Sequence, residues 1–243
     1  MTTLDIAISV FVNSFAHRWW TLDVFVHFLE WSPLLKGSVV LAVFFYAWFP
    51  SEQATTESDL TNRRQVLSYT LLICLPGLIA ARLLSLALPF RFRPLANAHL
   101  QLHQPFASDQ TGLGTWSSFP SEQAVLFFVL AAGMYIVDRK IGLFLYLYTI
   151  FCISLPMIFL GIHYPSDIFG GALLGVGLAY SVKWSALRRF MIRPVLRLQE
   201  ASPGLFYSCF FFLAYQAADT YKPLRGGIRL AVDLLHAWMG LQK

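Results

Sequence analysis

Charge is what this sequence has least of. Only 13% of its 243 residues are Asp, Glu, Lys or Arg, about half the share usual in soluble domains. That leaves too little polar surface to cover a water-soluble globule. Cysteine is also scarce: Cys74, Cys152 and Cys209 each sit inside an apolar run. The odd count, the wide spacing and the lack of a Cys-x-x-Cys pair argue against a disulfide framework or a zinc site. The three read as small packing residues. The net charge of +5 is low for a nucleic-acid binder, and the basic residues form no single stripe. No basic stretch precedes the first apolar run, which Asp5 interrupts, so the start is not expected to be a cleaved signal peptide. No internal repeat or low-complexity tract stands out.

What the chain does have is apolar length. Hydrophobic residues make up 57% and aromatics 16%, a composition suited to a bilayer with Trp and Tyr at its interfaces. The expected fold is all-α: a polytopic membrane protein of about six transmembrane helices. Candidate spans lie at 34–49, 67–88, 124–137, 141–160, 168–183 and 204–218. Lys36, near the start of the first, is read as snorkelling to the interface. Residues 1–32 are expected to form short interfacial helices, 33–218 the transmembrane domain, and 219–243 an amphipathic tail. A polar loop occupies 50–64, and the longest non-apolar stretch, 90–120, holds Arg91, Arg93, His99, His103 and Asp109.

Orientation follows from charge. Arg63/Arg64, Arg139/Lys140 and the basic loop between Lys183 and Arg197 fall in alternate loops. The positive-inside rule makes their side cytoplasmic. The 90–120 loop and the short 161–167 break then share the opposite face. Arg91 and Arg93 lie there against the rule, which points to an anionic ligand or to pairing with lipid phosphates. A transporter would place ionisable residues through its spans; here most charges sit near span ends.

Three clusters on that face can carry chemistry. Pro89-Phe90-Arg91-Phe92-Arg93-Pro94, with Arg82 on the second span, offers guanidinium forks that suit phosphate. Ser117-Ser118-Phe119-Pro120-Ser121-Glu122-Gln123 enters a helix, whose N-terminus favours anions. Ser121 reads equally as a plain N-cap. In Gly161-Ile162-His163-Tyr164-Pro165-Ser166-Asp167, His163 and Asp167 stand four apart and so share a helical face. A carboxylate on one imidazole nitrogen makes the other a better nucleophile or base. A His-x3-Asp pair on its own is common.

Taken in order, these segments resemble the three signature regions of the type 2 phosphatidic acid phosphatase superfamily. The resemblance covers roughly residues 30–183, and Leu34-Leu35-Lys36-Gly37 looks like bacterial members. It implies that bundle fold and a phosphohistidine mechanism. His163 would be the nucleophile, Asp167 its orienting carboxylate, and Arg93 and Ser121 the phosphate ligands. It implies no metal and no cofactor. Substrates would be lipid phosphates or polyprenyl pyrophosphates at the non-cytoplasmic face of the plasma membrane, with membrane lipids and a membrane-protein partner as further contacts.

Three positions depart from the family pattern. Leu86 stands where the first motif has lysine, with Arg82 or Arg91 as candidate replacements. Gln123, after Glu122, stands where the second motif has its general-acid histidine. Met157 stands where the third has arginine. Two readings follow: a phosphatase favouring good leaving groups, with His99, His103 or Glu122 as substitute acids, or a pseudoenzyme that keeps the fold to bind a lipid phosphate or a partner.

Overall fold

The computed structural model describes residues 2–49, 56–106 and 116–221. Asp109, residues 50–55 of the polar loop and the tail from 222 onward lie outside them. Among the described residues the fold is all-helical. The ten α-helices are α1 (Thr3–Asn13), α2 (Trp20–Trp31), α3 (Val39–Trp48), α4 (Glu57–Ala87), α5 (Glu122–Val137), α6 (Arg139–Tyr148), α7 (Leu155–Phe159), α8 (Pro165–Tyr180), α9 (Ser185–Ala201) and α10 (Pro203–Ala218).

α5 is the axis of the bundle. It is apolar all round, and residues 124–134 are buried without a break, as expected of a helix enclosed by other helices. α4, α6 and α8 pack against it. Small residues allow the close approach. A Cβ at Gly171 would lie 2.6 Å from the Ser121 carbonyl oxygen, and one at Gly175 would lie 2.5 Å from that of Val125. Packing of this kind takes the place of the hydrophobic effect between helices in lipid.

Two helices are long and apolar enough to cross a membrane: α4, and the run from α6 through a π-helical turn (Thr149–Ser154) into α7. α2 and α3 form a third candidate, bent by 62° at the break between them. α5, α8 and α10 each have 16 residues, about 24 Å of helix against a hydrocarbon core of about 30 Å. The structure therefore supports a helical membrane protein with two or three candidate spans, short of the six expected.

Charge within the bent pair departs from the sequence reading. Lys36 does not snorkel. It is buried, and its Nζ lies 2.5 Å from Glu30 Oε1. A buried lysine is costly unless paired, and the nearest acid supplies the partner.

α1 turns its polar residues inward. Its buried residues are Asp5, Ser9 and Asn13, spaced four apart. Leu4, Val10 and Phe11 face outward. The polar stripe points into the protein, where Asn13 donates to the carbonyls of His103 (2.9 Å) and Phe159 (3.3 Å) and accepts from the His103 N–H (2.7 Å).

Candidate active site

The end of α4, the start of α5, the end of α7 and the start of α8 converge. Backbone bonds tie them: Ser118 N–H to the Arg91 carbonyl (2.8 Å), Ser121 N–H to the Asp167 carbonyl (3.1 Å) and Leu95 N–H to the Gly161 carbonyl (3.0 Å). The three clusters seen in the sequence thus meet in one place. Arg63/Arg64, Arg139/Lys140 and Lys183 sit at the other ends of the same helices.

His163 sits in the turn between α7 and α8. Gly161 makes that turn with φ +64°, a left-handed conformation that glycine adopts without strain. The backbone N–H groups of Ile162 and His163 both donate to the Met157 carbonyl (2.9 and 3.3 Å). The imidazole is buried. Its Nδ1 lies 2.9 Å from the Ser118 carbonyl, an acceptor only, so Nδ1 carries the proton and Nε2 a lone pair. Nε2 faces the Arg93 guanidinium, 3.5 Å from Nη1. Burial, and after it the Arg93 charge, hold the imidazole below its ordinary pKa against the opposing pull of Asp167. It is neutral at pH 7 and fit to act as a nucleophile.

Asp167 does not hold the direct hydrogen bond to that ring. Its Oδ2 is 3.7 Å from Nδ1, beyond hydrogen-bond range. It accepts instead from the Ser118 hydroxyl, at short range, and from the Tyr164 N–H (2.8 Å). Ser118 therefore connects the carboxylate to the imidazole, with its hydroxyl on one and its carbonyl on the other. Sequence reasoning passed over Ser118 in favour of Ser121. Both stand in the same motif, and only the fold decides that Ser118 faces His163 while Ser121 faces Met157.

The two arginines of the first cluster divide. Arg91 binds carboxylates: its Nη1 lies 2.6 Å from Asp167 Oδ1 and its Nη2 3.0 Å from Asp5 Oδ2. The guanidinium also stacks over Tyr164, 4.2 Å from the ring centroid. Arg93 reaches the Ile162 carbonyl (3.2 Å) and His163, and among the described residues no carboxylate bonds it. Burial lowers its pKa, offset in part by Asp167, Glu122 and Glu30, and a desolvated cation of that kind favours an anionic ligand.

The remaining expected residues have these positions. Ser121 is fully buried, caps α5 by accepting from the Ala124 N–H (3.4 Å), and directs its hydroxyl to the Met157 sulfur (3.9 Å). Arg82 pairs with Glu122 at 3.2 Å and lies over Trp116, so the carboxylate following Ser121 has its own counter-charge. Leu86 is exposed, and Met157 is completely buried. Gln123 keeps a buried amide oxygen without a partner among the described residues. His99 is exposed, and the backbone of His103 is clamped by Asn13.

Residues 83–191 match the model of the PAP2 superfamily. This stretch of the chain is a PAP2 superfamily domain. It contains Arg91, Arg93, Ser118, Ser121, His163 and Asp167, and leaves α1, α2 and α3 outside. The bacitracin transport permease protein BcrC of Bacillus licheniformis is 38% identical over 84 residues, which are 35% of this chain. The match spans 41% of that protein's length. No solved structure matches the chain. The match and the apolar helices around it support a membrane protein with a PAP2-like stretch.

Proposed function

We propose that this protein removes a phosphoryl group from a membrane-embedded lipid phosphate or polyprenyl pyrophosphate, using His163 as nucleophile. One observation carries the reading: a buried, neutral imidazole has its protonated Nδ1 on the Ser118 carbonyl and its free Nε2 against Arg93. A phosphate seated on Arg93 would bring its phosphorus to Nε2. The nitrogen lone pair forms the P–N bond as the bond to the leaving oxygen breaks. Water then attacks phosphorus and releases phosphate, returning the electron pair to Nε2. Arg93 stabilises the equatorial charge throughout. The site faces the non-cytoplasmic side of the plasma membrane, because the basic loops mark the opposite ends of the helices as cytoplasmic.

The departures from the family pattern bear on the substrate. Gln123 cannot protonate a leaving group, and a general acid contributes about 10²–10⁴-fold. A leaving lipid phosphate is a far weaker base than a lipid alkoxide and needs less help. The chain therefore favours a pyrophosphate over a monoester. A second reading has a specific observation behind it. Met157, where the family carries a charge, is an uncharged and wholly buried side chain against Ser121, which fits a pseudoenzyme that binds a lipid phosphate or a partner without turnover.

The test is phosphate release by detergent-purified protein from a panel of lipid monophosphates and polyprenyl pyrophosphates, with His163→Ala as control. Release that disappears in the variant supports the phosphatase. Equal, background release from both proteins on every substrate rejects it in favour of the pseudoenzyme.

A further inference from the structure

The PAP2 domain begins at residue 83, yet one of the carboxylates in its site comes from residue 5. Asp5 lies near the start of α1 and is buried. Its Oδ1 accepts from the Ser166 N–H (3.0 Å). Its Oδ2 accepts from the Ser166 hydroxyl (2.9 Å) and from Arg91 Nη2 (3.0 Å). Each contact has a physical role. The Ser166 N–H is in the first turn of α8 and has no acceptor within its own helix, so Asp5 caps α8 from a different helix. Arg91, placed between Asp5 and Asp167 and resting on the Tyr164 ring, is held at two nitrogens and one face. Asn13, two turns along the same stripe, fastens the other end of α1 to the segments before and after the site.

We propose that Asp5 is a positioning residue of the phosphoryl-transfer site. It holds Arg91 against Asp167, fixes the Asp167–Ser118–His163 chain, and leaves Arg93 as the guanidinium that receives phosphate. The proposal rests on His163 being the nucleophile, and it brings α1 into a site that the PAP2 match does not include.

The charge balance makes this testable. Arg93 from the loop after α4, Asp167 from α8 and Glu30 from α2 act on His163, with Glu30 itself paired to Lys36. Arg91, Asp5 and Tyr164 stand one contact further out. Asp5→Asn keeps the size and one acceptor for Ser166 but removes a negative charge. Arg91 then adds uncompensated positive charge beside the Asp167–His163 chain.

The experiment uses the full chain in detergent and two readouts. The first is the pH dependence of His163 acylation by diethyl pyrocarbonate, followed by peptide mass spectrometry, which needs no turnover. The second is phosphate release, separated into kcat and KM. Asp5→Asn should move the acylation midpoint to lower pH. It should also lower kcat about 10- to 100-fold, the equivalent of one charge-assisted hydrogen bond, with KM changed less than about threefold. Asp5→Glu, which restores the charge, should return the midpoint toward wild type. An unchanged midpoint in Asp5→Asn overturns the proposal, as does an equal loss of kcat in Asp5→Asn and Asp5→Glu with no midpoint shift. A wild-type protein that releases no phosphate rejects the phosphatase reading, while the acylation midpoints still decide whether Asp5 acts on His163.

Discussion

Arg91 and Arg93 stand two residues apart in one short motif, and the structure gives them different work. Substituting each by glutamine should therefore separate stability from activity. Arg91 makes charge-assisted bonds to two carboxylates, at 2.6 and 3.0 Å. Its side chain is 19% exposed, so solvent screens these bonds little. Each is worth about 1.5–3 kcal/mol, and the carboxylates left behind in Arg91→Gln are buried. The loss is then at least about 3 kcal/mol, or a fall in Tm of about 6–12 °C for a chain of this size. Arg93→Gln loses one charged bond to a carbonyl, against two in Arg91→Gln, and a long contact to His163, about 1.5–3 kcal/mol. It should nevertheless lower kcat by about 10²–10³, the usual effect of removing one preorganised charge donor from a transition state. The assay is phosphate release together with thermal unfolding in the same detergent. The reasoning fails if Arg91→Gln keeps its Tm while losing activity, or if Arg93→Gln turns over normally.

Three further outcomes are expected. Burial lowers the His163 pKa from the ordinary 6.5, so the acid limb of kcat/KM should lie below pH 6.5. The same shift means that the unfolded chain binds the proton first, so the stability contribution is complete above pH 6.5 and is lost as pH falls from there toward the lowered value; an acid limb above 6.5 would contradict it. Gly171→Val should cost several kcal/mol and disturb the site, because even a Cβ there meets the Ser121 carbonyl at 2.6 Å and pushes apart the two helices that start at the site; a Tm within 2 °C of wild type, about 1 kcal/mol or less, would show that the α5–α8 contact can relax. Gln123→His should raise release from lipid monophosphates more than from pyrophosphates, since the monoester has the poorer leaving group; equal gains on both would remove the leaving-group argument.

The departures from expectation share a cause. Hydropathy reads a helix by the character of its residues and does not say what the polar stripe Asp5, Ser9, Asn13 meets. Here that face meets the carbonyls and guanidinium of the site, and the apolar residues face outward. Lys36 likewise is sent to the interface by the sequence and paired with Glu30 by the fold. An apolar run marks a buried helix as readily as a membrane crossing: two or three candidates have the length and composition to cross, and α5, enclosed by its neighbours, has 16 residues.

By itself the sequence determined that the chain is helical and membrane-like, because too few charges exist to cover a globule. It also singled out three clusters that the fold brings together, because arginine, a helix-opening serine and a His-x3-Asp pair are few and appear in a recognisable order. Only the tertiary structure decided how those groups divide their roles. Arg91 serves the protein's carboxylates, Arg93 stands beside His163, Ser118 rather than Ser121 connects Asp167 to His163, and Asp5 enters from a helix outside the PAP2 match. Hydrogen bonds and ion pairs act over about 3 Å, and residues separated by 161 positions come within that distance only when the helices between them have packed.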